Sequence, residues 1–185
     1  MSGSTGLNGP VKLGSTPPIK RYIMKYILLS IMLPLAIPLY AEELAGKPRV
    51  VDADTLAFGE ERVRIEGIDA PELKQLCERE SGERYSCGQV ATEALRAQIG
   101  NNSITCKGES RDKYRRLIGF CFFTDGTDLN AWIVRNGHAL AYRKYSTLYV
   151  KKEEEAQAEN IGIWQGRFIA PWDWRKGVRL EETEK

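Results

Sequence analysis

Apolar and polar residues alternate through "VRIEGI", Val63 to Ile68, the period of a half-buried strand, and the run stops at "DAPE", Asp69 to Glu72. Just upstream, "RVVDADTLAF" and "ERVRIEGI" are two strand-like runs separated by Gly59 and Glu60, a spacing that predicts a hairpin. A loop through Ser86 then leads to "CGQVATEALRAQIG". Here Val90, Ala94, Leu95 and Ala97 predict the apolar face of a helix that Gly100 ends. "SITCKG" and "LIGFCFFTDG" predict a further strand pair. "TDLNAWIVRNG" predicts a short helix stopped by Gly137, and "KKEEEAQAENIG" a charged one closed near Gly162, with Glu153 to Glu155 on its solvated face. Strands first and helices packed on them make an α+β pattern, and five strands with interposed helices are compatible with a small barrel. No internal repeat is present.

The first 41 residues do not share these periods. "MSGSTGLNGPVKLGSTPPIKR" is rich in Gly, Ser and Pro and predicts disorder. "MKYILLSIMLPLAIPLYAEE" follows with a lysine, an apolar run broken by Pro34 and Pro38, and Ala41 before acidic residues. That order fits a secretory signal peptide at 24–41 better than a membrane span, the alternative being an uncleaved anchor. Met24 reads as the natural start, so residues 1–23 read as an added leader or a misassigned start.

Setting residues 1–41 aside reverses the charge. The chain has 27 basic and 25 acidic residues; four of the basic ones and none of the acidic ones precede Glu42, leaving 23 against 25. Net charge therefore does not argue for nucleic acid, and any phosphate affinity must come from local clusters.

Four cysteines follow the expected cleavage point, an even number that favours disulfides in an oxidising compartment, secreted or periplasmic. The preferred pairing is Cys77–Cys87, clipping "CERESGERYSC", and Cys106–Cys121, joining the strands that flank "RDKYRR". The second closes a loop worth about 3 kcal/mol in the chain-entropy model. Zinc fits poorly, because no CxxC pair exists and His138 is the sole histidine.

The candidate chemistry lies around "VRIEGIDAPE". Asp52 and Asp54 at alternate positions of the first strand would share a face, and a second strand folding back would bring Asp69 toward Asp54. Carboxylates plus a backbone carbonyl are hard oxygen ligands, suited to calcium or magnesium. Arg64 and Glu72 complete the parts needed for phosphodiester hydrolysis: positive charge for the transition state and a carboxylate for water. The competing reading is ordinary, since charged residues at strand ends are mostly solvated and "DAPE" alone is a turn.

Several of these segments together resemble the staphylococcal nuclease (thermonuclease) family: "VVDADTL", "RVRIEGIDAPE", "RDKYRRLIGF", "WIVRNGHALAY" and the closing "NIGIWQGRFIAPWDWR", similar to secreted bacterial members. The resemblance runs from about Arg49 to Arg175, which gives a domain at 42–176 and a charged tail at 177–185. It implies a five-stranded OB-type β-barrel with about three helices and calcium-dependent cleavage of DNA and RNA, cutting the 5′ P–O bond to leave 3′-phosphate ends. By position it implies calcium at Asp54, Asp69 and the backbone carbonyl of Ala70, with Asp52 in support. Glu72 matches the general base, and Arg64 and Arg116 the two phosphate-binding arginines. Arginine suits that role because its planar guanidinium grips two oxygens and stays charged. One departure stands beside it: family members usually carry glycine where this chain has Arg115, in "KYRR", which predicts either strain or an added phosphate contact.

Lys113, Tyr114 and Tyr142 are the expected substrate-binding residues, Tyr142 by its match to the family's base-packing aromatic. Tyr145 and Tyr149 read equally as stacking platforms or as packing. Trp132, Trp164, Trp172 and Trp174 read as core or tail-docking anchors, and His138 as a capping or surface residue. The expected partners are DNA and RNA as substrates, a membrane only if the signal segment stays uncleaved, and no second copy of the chain. The alternative to an enzyme is the same barrel kept as a catalytically inactive nucleic-acid-binding module.

Overall fold

The computed structural model describes residues 41–181, together with Gly9 and Gly14. The predicted leader and nearly all of the predicted signal segment lie outside the described residues, as does the tail beyond 181. No helix among the described residues is long and apolar enough to cross a membrane.

The strands in chain order are β1 (Glu42–Gly46), β2 (Arg49–Asp52), β3 (Thr55–Phe58), β4 (Glu61–Ile65), β5 (Ile68–Asp69), β6 (Leu76–Arg79) and β7 (Arg84–Ser86). Helix α1 (Cys87–Ile99) precedes β8 (Ile104–Arg111) and β9 (Leu117–Phe123). Then come α2 (Leu129–Arg135), β10 (Leu140–Ala141), α3 (Val150–Ala158), a 3₁₀ turn (Gly162–Gln165), β11 (Gly166–Arg167) and the short α4 (Pro171–Trp174). The main sheet runs β1-β8-β9-β4-β3-β2. All its pairs are antiparallel except β4 with β9, which are joined by the long crossover through α1. Edge strand β1 also lies against β3, so the sheet curls around its apolar face. The fold is α+β, an OB-type arrangement in which β1 adds a sixth strand to the predicted five and α4 a fourth helix to the predicted three.

The core explains the curl. Leu56, Val63, Ile65, Ile104 and Leu117 from the sheet meet Leu95 and Ile99 of α1 and Leu129, Ile133 and Val134 of α2, all buried. A smaller cluster of Cys77, Cys87, Leu140 and Ile163, flanked by Trp164, Phe168 and Trp172, docks the C-terminal segment. Both expected disulfides are present, Cys77–Cys87 and Cys106–Cys121, the latter between directly opposed residues of β8 and β9.

Several expectations change. "RVVDADTLAF" is two strands: Asp52 faces Thr55 across a tight turn at Ala53 and Asp54. The break comes from the Asp52 carboxylate, whose Oδ1 accepts the Asp54 N–H (3.2 Å), a side-chain turn that competes with the ladder. Gly67, at φ 76°, likewise breaks "VRIEGI", so the run is not one strand and Ile68 joins the buried set. The loop before Ser86 contains the β6–β7 hairpin. On α1 the buried row is Ala91, Leu95 and Ile99, one residue round from the predicted face, leaving Val90 and Ala97 exposed. Glu153 is buried and not solvated; its Oε1 accepts the Ala141 N–H (3.0 Å) and Arg143 pairs with it. Tyr149 packs in the core, with its hydroxyl donating to Asp128 Oδ2 (3.1 Å), whereas Tyr145 is exposed.

Candidate active site

The tight turn places Asp54 where no strand position would. Its Oδ2 accepts the N–H of Ala70 (3.0 Å) and pairs with the Arg64 guanidinium, while Oδ1 accepts the Thr55 hydroxyl (3.2 Å). Antiparallel pairing of β3 with β4 puts Arg64 opposite Thr55. From there its second Nη reaches Asp69 Oδ1 at 2.9 Å. Asp69 is held by β5 pairing with β10 and has no solvent exposure. The carboxylates expected to share a site therefore do so, joined by the arginine from the strand between them.

Glu72 is positioned from below. Its backbone N–H donates to Gln75 Oε1 (3.2 Å), its carbonyl accepts the Gln75 N–H (2.7 Å), and buried Gln75 donates in turn to the Ile169 carbonyl (2.6 Å). Helix α1 starts directly on this turn: a Cβ on Gly88 would stand 1.9 Å from the Glu72 carbonyl oxygen. Gly88→Ala is accordingly expected to push α1 and the Glu72 turn apart, lowering stability by about 1–3 kcal/mol in urea unfolding.

Arg116 comes from the turn between β8 and β9. Asp112 organises it: Oδ1 accepts the N–H groups of Tyr114 (2.9 Å) and Arg116 (3.0 Å), and Oδ2 accepts Arg116 Nε (2.8 Å). Arg116 Nη1 then lies 3.3 Å from the Thr55 hydroxyl, so Thr55 links the second arginine to Asp54. At the position where the family resemblance expects glycine, Arg115 adopts φ 67°. That left-handed conformation costs a residue with a Cβ about 1–2 kcal/mol. Arg115→Gly should relieve it, and after the extra unfolded-chain entropy of glycine a net gain of about 0.5–1 kcal/mol is expected in thermal or urea unfolding.

A cavity of about 420 Å³ opens beside these residues, with Arg64, Glu66, Asp112, Arg116, Tyr142 and Tyr145 among its walls. Tyr142 is stacked parallel on Trp172 at 5.4 Å and meets Tyr145 edge-on at 4.9 Å. Lys113 and Tyr114 are exposed on the arginine turn, the Tyr114 ring lying 5.6 Å from the Arg116 guanidinium carbon. His138 sits apart, against Trp132, where burial lowers its pKa.

The electrostatics are those of carboxylates withdrawn from water. Burial, with the Asp54 charge next to it, pushes Asp52 up to about 6. Burial also raises Asp69, opposed by Arg175 and Arg64. For Arg64, burial works against the charge but the carboxylates around it prevail and hold it protonated. Among the described residues no three His, Cys, Asp or Glu side chains converge on one point. The candidate ligand set is two carboxylates and the Ala70 carbonyl, and it fits a cation on one observation: a single guanidinium, that of Arg64, reaches both Asp54 and Asp69. Hard oxygen donors of this kind suit calcium or magnesium.

One site residue had no forewarning. Arg175, just after α4, donates from Nη1 to Asp69 Oδ1 (3.1 Å) and Glu72 Oε1 (2.8 Å), and from Nη2 to Asp69 Oδ2 (2.6 Å).

A family model described as staphylococcal nuclease homologue matches residues 62–166. The chain belongs to the staphylococcal nuclease family. The succinoglycan biosynthesis protein ExoI of Rhizobium meliloti (strain 1021) is 36% identical over 129 residues, covering 69% of this chain and 68% of that protein. An uncharacterized endonuclease of Escherichia coli O157:H7 is 30% identical over 146 residues, covering 75% and 89%. The probable staphylococcal-like nuclease CAN3 of Oryza sativa subsp. japonica is 33% identical over 121 residues, 64% of this chain and 29% of the longer plant protein. Within the staphylococcal nuclease match lie Arg64, Asp69, Glu72, Arg116 and Tyr142, whereas Asp54 precedes it and Arg175 follows it.

Proposed function

We propose that this protein is a calcium-dependent nuclease that hydrolyses DNA and RNA with little regard to the sugar. Membership of the staphylococcal nuclease family and endonuclease-named relatives support the nuclease class. The observation that carries the finer reading is the convergence of Arg64 on Asp54 and Asp69, with Arg116 lining the same cavity as Arg64 and Glu72 tied to Asp69 through Arg175. Asp54, Asp69 and the Ala70 carbonyl would hold the calcium, with Asp52 supporting Asp54 through its N–H. When bound, calcium supplies Lewis-acid stabilisation of the negative charge that builds on the phosphate. Arg64 and Arg116 donate to the non-bridging phosphate oxygens, contacts that strengthen as the transition state gains charge. Glu72 orders the attacking water and takes its proton at the carboxylate. Tyr142, braced by Trp172, offers a ring to a base, and Lys113 and Tyr114 extend the phosphate path along the turn. Secretion or export to the periplasm fits the two disulfides, which persist in oxidising compartments.

The test is cleavage of end-labelled single- and double-stranded DNA and RNA in calcium, with analysis of the new ends. All four substrates should be cut, leaving 3′-phosphates. Strict confinement to one sugar, or products with 5′-phosphates, would refute the substrate class or the bond assigned.

A further inference from the structure

The C-terminal turn reaches into the acidic cluster with a charge of its own. Asp69 has no exposure, and both its oxygens are taken by guanidinium groups: Oδ1 by Arg64 and Arg175, Oδ2 by Arg175 alone. Anything that approaches these oxygens must come past one of the two arginines. Arg64 is 18% exposed, is fixed in β4 and is also paired with Asp54. Arg175 is 40% exposed, and among the described residues its side chain is held by Asp69 and Glu72 alone. Burial works against its charge, but those two carboxylates outweigh it and raise the Arg175 pKa.

We propose that Arg175 is an internal cation that competes with the divalent metal for Asp69, so that metal binding requires Arg175 to leave Asp69 and, with it, Glu72. The inference rests on the calcium reading above. A guanidinium and a divalent ion on the same oxygens repel one another at contact distance, and Arg64 already contributes one positive charge there, so Arg175 and the ion cannot share Asp69. Arg175 is the group that yields, because its departure breaks no strand pairing and moves its charge toward water. The segment that carries it has separate moorings: Gln75 holds the Ile169 carbonyl, Pro171 is buried, and Trp172 is stacked on Tyr142. Release of Arg175 therefore leaves the base of the turn in place while Trp174, the residue before it, changes surroundings. Arg175 also acts as a positioning residue for Glu72, fixing its Oε1 relative to Asp69 while the metal is absent.

The experiment is calcium titration of the full chain by isothermal calorimetry, with tryptophan emission followed in parallel, on wild type, R175Q and R179Q. A closed form in about tenfold excess lowers apparent affinity about tenfold, so R175Q should bind calcium about tenfold more tightly. The calcium-induced change in emission, present in wild type, should shrink in R175Q. R179Q removes the same charge from the neighbouring exposed surface and should match wild type in calcium affinity, the quantity for which it is the control, since the Arg179 guanidinium itself lies over the Trp174 ring. R175K, which keeps the charge but not the fork that holds two carboxylates, should tighten binding by a smaller factor and serves if R175Q does not fold. Equal affinity in wild type, R175Q and R175K, or equal tightening in R179Q, overturns the competition while leaving the calcium site standing. Absence of calcium binding in every protein overturns both.

Discussion

Arg64→Ala is expected to lower phosphodiester cleavage by on the order of 10²–10³-fold, the cost of losing one preorganised donor to transition-state charge, and to destabilise the fold as well. In the folded protein Arg64 joins the buried Asp54 and Asp69 carboxylates. Without it Asp54 keeps only the Ala70 N–H and the Thr55 hydroxyl, and removing one partner of a buried ion pair costs about 3–5 kcal/mol. The two losses separate on adding calcium. An ion bound by the native carboxylates alone stabilises the native state, by about 2.7 kcal/mol at one hundred times its dissociation constant, but cannot replace the phosphate contact. Urea unfolding with and without calcium should show partial recovery of stability, and cleavage rates measured where the variant is folded should show none. A variant that recovers both is incompatible with a direct role for Arg64 on the phosphate.

Glu72→Gln is expected to lower kcat by about 10²–10⁴-fold, the range for removing a general base, while leaving the fold and nucleic-acid affinity intact. Glutamine keeps an oxygen for the Arg175 contact and does not disturb the two backbone hydrogen bonds to Gln75. What it lacks is the basicity to accept a proton from water. Retained binding with lost cleavage would also separate the enzyme from the alternative of a pure binding module, for which a neutral residue at this position is harmless. Full cleavage by the variant removes Glu72 from the reaction.

The parts of this site that local pattern governs were legible in the sequence. The β3–β4 hairpin follows from Gly59 and Glu60 between alternating runs, and Gly100 closes α1 through its N–H to Arg96 as its position suggests. Cys106 and Cys121 bracket a turn of strand-forming residues, and they face one another directly. The turn at Asp54 was hidden because the alternation in "VVDADTL" is also that of a continuous strand; the Asp52 carboxylate makes the turn, and the Ala70 N–H, sixteen residues away, holds the Asp54 side chain it presents. Glu153 looks like any member of an acidic run until β10 presents the Ala141 N–H to it. Arg175 is hardest of all: its partners lie 103 and 106 residues back, and nothing in "PWDWR" marks an active-site residue. Thr55, Gln75, Gly88 and Asp112 share this character, since each acts by supporting another side chain or a turn, and spacing does not advertise support.

In the proposed function calcium and Glu72 act together in this cluster to cut phosphodiesters. The measurement that tests it most directly is the initial rate of single-stranded DNA cleavage by wild type and Glu72→Gln, each in saturating calcium and in excess chelator. Rapid cleavage by wild type in calcium, abolished by chelator and reduced at least about 10²-fold in Glu72→Gln, is the result expected. Cleavage that survives the chelator, or that the variant matches, would contradict it.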